Sequence, residues 1–224
     1  MNRPRRGRLG TAESLRRPAY RVQWLPFNEG SGVEAQPQFA APPPTAKPRP
    51  AVVALIGLPG SGKRVVAQAL SEQLAFRRVD REAIRDAMFP QCTFSFAEKR
   101  AAFRAMLLAL EINCLLGASS VIEGVSFGSR RDLLRVDSVV KRYGCMPIPV
   151  YLDCSVEVAQ ARITQQIAAD PALARARTPE LAAEVRARFD TPPPNALAVN
   201  ANLPLDEVAR VVVAAVAQIC SVNL

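Results

Sequence analysis

Residues Ala51–Ile56 (AVVALI) run directly into Gly57–Lys63 (GLPGSGK), and a segment of helical spacing follows. This junction constrains the fold more than any other feature of the chain. Six apolar residues in a row predict a strand buried on both faces, which requires a parallel sheet covered by helices. The loop fits G-x-x-x-x-G-K and has the strand before it and helix after it that such a loop needs. Its glycines let backbone N–H groups turn inward around an anion, and the helix N-terminus adds the positive end of its dipole. Lys63 supplies a point charge to the β and γ phosphates of a nucleotide. Gly57, Leu58, Pro59, Gly60, Ser61, Gly62 and Lys63 are therefore candidate phosphate-binding residues, with Arg64 next in line.

The chain beyond the loop alternates strands and helices. Helices are predicted over Lys63–Ala75, Arg81–Met88, Ala97–Leu116, Asp132–Tyr143, Val156–Ala169, Glu180–Phe189 and Leu205–Ile219. Strands are predicted over Phe76–Val79, Ser119–Ile122, Ile148–Leu152 and, more weakly, Ala196–Val199. Pro171–Pro179 reads as a loop. The alternation predicts an α/β fold with a five-stranded, mainly parallel sheet and helices on both faces. Phe103, Met106, Leu107, Leu110 and Cys114 form one stripe of the long helix, as core residues do.

Residues 1–50 are different. They hold nine of the 19 prolines and nine of the 29 Lys and Arg against three acids, so they carry +6 of the net +9. Dense proline and the aperiodic Trp24, Leu25 and Phe27 predict a disordered basic tail. Its charge would attract nucleic acid or an acidic partner, but a solvated tail with no strong partner is the simpler expectation. The domain then spans 51–224. The chain has no histidine, which excludes imidazole bases and His metal sites. The cysteines (Cys92, Cys114, Cys145, Cys154, Cys220) form no C-x-x-C pair and are odd in number, as expected of free thiols in the cytoplasm. The Arg-rich start has no apolar h-region, so no secretory signal is expected. The uncharged run Val211–Leu224 is too short for a membrane span.

Residues 51–219 resemble the P-loop small-molecule kinases, in particular the group with polynucleotide kinase-like, chloramphenicol phosphotransferase-like and zeta-toxin-like branches. The resemblance rests on GLPGSGK, then VDREAIR after the second strand, VIEGVSF at the third, PVYLDCSVEVAQARI, and a closing helix after LAVNANLPLDEV. It implies a three-layer P-loop NTPase sandwich, ATP as phosphoryl donor, Mg²⁺, and a small-molecule hydroxyl as acceptor. The group usually carries D-x-x-R after the second strand, an Asp near the acceptor and an Arg gripping acceptor or phosphate. Here Glu82 and Arg85 align, and Asp80 stands two positions earlier. An ordinary helix N-cap at Asp80 remains open as the alternative. The third strand usually ends in an Asp that holds the magnesium water shell or orients the acceptor. This chain has Glu123, at the end of a buried strand where open α/β sheets bind ligands. Asp153 ends the fourth strand and is expected to cap the following helix. The resemblance places Arg162 on a lid over the nucleotide. Arg175 and Arg177 match it poorly, because arginine is common throughout the chain.

Arg64 departs from the pattern. Ser or Thr at this position normally ligates Mg²⁺, and a guanidinium has no lone pair to offer. Either Asp80 and Glu123 hold the ion through water, or the guanidinium replaces part of its charge. The main expectation is an ATP-dependent kinase. The opposing one is a catalytically weak nucleotide-binding module whose tail docks a partner. The acceptor pocket is expected among Phe89–Phe96 and Val125–Arg131, which carry no readable code.

Overall fold

The computed structural model describes residues 49–175 and 177–222. The tail expected over 1–50 lies outside them, apart from Arg49 and Pro50. The first strand, β1 (Ala51–Ile56), is buried at every position. Ala51, Val53 and Leu55 enter one core, and Val52, Ala54 and Ile56 enter the other. A strand facing two cores cannot alternate polar and apolar residues, which explains the unbroken apolar run.

Four more strands follow: β2 (Arg77–Asp80), β3 (Ser120–Glu123), β4 (Met146–Asp153) and β5 (Leu197–Asn200). Their order is β2-β3-β1-β4-β5, and all pairs are parallel, one step beyond the mainly parallel sheet expected. The first core packs α1 (Lys63–Leu74), α5 (Val156–Ala169), α6 (Glu180–Ala187) and α7 (Leu205–Val222) on one face of the sheet. The second packs α3 (Phe96–Leu115) and α4 (Arg130–Arg142) on the other. The short α2 (Arg81–Met88) follows β2 and contributes Ile84 to that second core. Adjacent strands β1 and β3 therefore send the chain to opposite faces. The space between their carboxyl ends is the switch point where open α/β sheets place a ligand.

Local signals set the element ends. Ser95 and Glu98 form a capping box at the start of α3. Hydrogen bonds from the Thr93 and Ser95 backbone hold the Glu98 carboxyl down to about 2. Gly144, at φ 66°, follows the last turn of α4. Asp153 does not cap α5. Ser155 does, accepting from the Val158 N–H, while Asp153 accepts from the Tyr151 hydroxyl. Pro171–Arg175, expected as loop, is a short 3₁₀ turn.

Leu70 of α1 is completely buried in the first core. Leu70→Ala is expected to cost about 2–5 kcal/mol in urea denaturation, because the backbone there cannot collapse into the gap.

Candidate functional site

The loop between β1 and α1 sits at the switch point, and close backbone contacts fix its shape. Gly60 has φ 84°, and a Cβ there would lie 2.4 Å from the Ala159 carbonyl oxygen of α5. Only glycine allows that approach. The Ser61 N–H donates to the Leu58 carbonyl, closing a turn. The amides of Gly60, Gly62, Lys63 and Arg64 have no backbone acceptor among the described residues. They are the donors that an anion at a helix N-terminus uses. The Ser61 hydroxyl is buried without a partner.

Lys63 donates through Nζ to the carbonyls of Gly57, at 2.8 Å, and Leu58, at 2.7 Å. The ammonium is thus enclosed by the loop it serves. Burial pushes its pKa down to about 7, and the Glu82 charge opposes that shift. A phosphate placed against it would restore the charged form.

Of the expected acids, Glu82 and Glu123 line a cleft of about 670 Å³, and Asp80 lies beside it rather than on its wall. Asp80 and Glu123 are register partners in neighbouring strands. Asp80 is the N-cap of α2, accepting from the Glu82 N–H at 2.8 Å, so the capping alternative is present in the structure. Glu123 is only 1% exposed. Burial raises its pKa, and a short contact from Arg78 opposes the rise. Arg78 Nε and a terminal guanidinium nitrogen both lie 2.6 Å from the same Glu123 oxygen. Glu82 accepts from Arg177 and lies 3.4 Å from Arg64. Arg64 is also 3.8 Å from Asp80.

These residues fit phosphate better than a directly ligated Mg²⁺. Arg64 occupies the position of the usual hydroxyl ligand and pairs with Asp80 and Glu82, while Arg78 holds Glu123. Among the described residues no three His, Cys, Asp or Glu side chains cluster to hold a metal ion.

Two other arginines fall differently from expectation, while Arg85 lines the cleft. Arg85 is buried at 6% exposure, pairs with Asp86, and lies over the Phe94 ring at 4.7 Å. Arg162 is not on the cleft wall. Its guanidinium donates to the carbonyls of Ala201 and Leu203, both at 2.7 Å, and so ties α5 to the turn before α7. Arg177, a poor match to the lid arginines in the sequence, lines the cleft and holds Glu82. Arg78 was missed as well. Its signal was the period of two along β2, which puts it on the same face as Asp80.

Residues 52–192 match the family model described as AAA domain. No curated protein matches the sequence. Among solved structures, a candidate kinase from Chloroflexus aurantiacus superimposes with TM-score 0.65 at 24% identity, covering 80% of this chain and 100% of that one. An APS kinase from Mycobacterium tuberculosis, in complex with AMPPNP and APS, gives TM-score 0.55 at 20% identity over 75% of this chain and 98% of that one. A gluconokinase from Sinorhizobium meliloti gives 0.56 at 18% identity over 77% and 94%. At these identities the likeness shows the fold, which is that of P-loop small-molecule kinases.

The Lys63 pKa links the loop to stability. The unfolded chain, with an ordinary lysine near 10.5, binds more protons than the folded one above pH 7. Stability contributed by this group therefore rises between about pH 7 and 10, by up to about 1.4 kcal/mol per pH unit. Denaturation of wild type and Lys63→Met across that range should show a steeper rise in the wild type. Parallel curves would mean an unshifted ammonium.

Proposed function

The chain belongs to the AAA domain family through residues 52–192, and from that premise we propose that it is an ATP-dependent phosphotransferase acting on a hydroxyl of a small molecule. The observation that carries the reading is the loop itself: unpaired amides around the enclosed Lys63 ammonium, facing carboxylates across one cleft. In this reading residues 57–64 bind the triphosphate. Lys63 and Arg64 neutralise charge on its terminal oxygens, and Arg177 adds a third cation from the 171–179 segment. The acceptor oxygen attacks the γ-phosphorus, the bond to the β–γ bridging oxygen breaks, and ADP leaves.

Glu123 takes the acceptor proton. Burial makes it a stronger base than an exposed carboxylate, because its pKa is raised toward the working pH. Asp80 and Glu82 position the acceptor side of the cleft, and Arg85 stiffens the inner face of α2. Arg162 acts at one remove, holding the turn whose Leu205 packs on Gly62. Among the described residues no helix is long and apolar enough to cross a membrane, and the five free cysteines suit the cytoplasmic setting included in this reading.

One observation favours a second reading. Both carboxylates that line the cleft are already held, Glu123 by Arg78 and Glu82 by Arg177 and Arg64, as is Asp80 beside it by a backbone amide. A nucleotide-binding module with little turnover would look like this. Turnover separates the two. Glu123→Gln removes the base with little change of shape. The wild-type rate should rise with pH as Glu123 deprotonates, and the variant should lose that limb and about a hundredfold in rate. ATP binding without turnover in both proteins, over a broad panel of hydroxyl acceptors, would leave the binding module.

The role given to Arg64 predicts an unusual metal dependence. Calorimetry should find ATP affinity in EDTA within a few-fold of that in Mg²⁺. Arg64→Ser should weaken metal-free binding about tenfold or more and make binding magnesium-dependent. A wild type that binds only Mg²⁺-ATP would show that the guanidinium does not replace the ion.

A further inference from the structure

The cleft holds more positive charge than a nucleotide site needs. Beyond Lys63, Arg64, Arg85, Arg175 and Arg177, it is lined by Arg81 at the start of α2, Lys99 of α3, and Arg188 at the end of α6. These three come from separate elements. None of their side chains makes a hydrogen bond or an ion pair with a described protein group. The two carboxylates lining the cleft, Glu82 and Glu123, have their own guanidinium partners.

Arg81 is the most telling of the three. Its Nε is fully enclosed and has no hydrogen-bond partner. Burial lowers its pKa, so the protein holds this guanidinium against a desolvation cost. A buried donor with no acceptor is destabilising unless something else supplies the acceptor. Its neighbour Arg85 is satisfied by Asp86 and Phe94, so the deficit is confined to Arg81.

We propose that Arg81, Lys99 and Arg188 form a subsite for a tetrahedral dianion on the acceptor, so that the substrate is a hydroxyl compound already carrying a phosphate monoester. A carboxylate presents two oxygens in one plane and suits a single guanidinium fork. A phosphate monoester presents three terminal oxygens in three directions, which matches donors that line one cleft from three elements. Its two charges also answer part of the cleft's surplus of cations. The word acceptor rests on the kinase reading above. The anion subsite does not, since it is a claim about binding.

The test uses the full chain and probes that need no turnover. Inorganic phosphate is titrated into wild type saturated with AMPPNP and into Lys63→Ala without nucleotide. Saturable phosphate binding is expected in both, because the donors of the subsite come from α2, α3 and the end of α6 rather than from the loop that carries Lys63. Arg81→Gln and the double variant Lys99→Gln/Arg188→Gln should each weaken it about tenfold or more. The double variant alters only exposed side chains, so its result stands even if Arg81→Gln fails to fold. Glycerol 3-phosphate should bind at least tenfold tighter than glycerate, and glycerol should not compete. Phosphate binding lost in Lys63→Ala, or untouched by the double variant, would place the anion in the nucleotide loop and overturn the subsite. Glycerate binding as tightly as glycerol 3-phosphate would overturn the dianion. Failure of AMPPNP to bind would count against the nucleotide reading alone, because the Lys63→Ala arm still reports on the subsite.

Discussion

The structure depends on one close approach, the backbone of the Gly60 loop resting on the backbone of Ala159 in α5. No side chain fits between them. That contact presses the loop against the helix layer and leaves its amides facing the carboxyl ends of the strands. Leu205 does the same on the other side, meeting Gly62. Arg162 then ties α5 to the carbonyls just before α7, so the two elements that clamp the loop are joined to each other. The result is a ring of amides fixed before any ligand arrives, which is where electrostatic preorganisation comes from. An arginine expected at the nucleotide turns out to support this ring from behind.

The remainder of the cleft is an exercise in placing charge where water is scarce. Glu123 is buried at the end of a central strand, which is tolerable only with a cation close by. Arg78 supplies it from the adjacent edge strand, two residues before Asp80. Glu82 is bracketed by Arg64 and Arg177, which reach it from opposite walls. The site therefore neutralises each acid locally and leaves a net positive cleft. That balance suits ligands that bring several negative charges of their own.

Much of this was legible in the sequence. β1, α2 and α5 lie where the pattern puts them, because an apolar run, a proline boundary and an N-cap leave little freedom. The glycine loop was equally plain, since its spacing has a mechanical reason. The pairing of acids with arginines was not. With 25 arginines in the chain, composition gives no reason to single out Arg78, Arg81 or Arg177. Their partners are set by the strand register and by the return of the 171–179 segment over α2, which no local pattern encodes. Asp153 misled for a related reason. Two residues can compete to cap one helix, and Ser155, two residues closer to the free amide of Val158, wins.

Arg64 gives the opening departure a physical meaning. In a loop of this kind a hydroxyl would bring a divalent ion, with charge that comes and goes with metal concentration. A guanidinium brings a fixed single charge on a tether, in contact with Asp80 and Glu82. It screens the same region but spreads its charge over a plane and offers no site for an oxygen ligand to bind. Lys63 compounds the effect, because its ammonium is held near its own pKa and gains full charge as phosphate approaches. Together they set two cations of the chain's own at the loop, a planar guanidinium paired with Asp80 and Glu82 and an ammonium held by the Gly57 and Leu58 carbonyls.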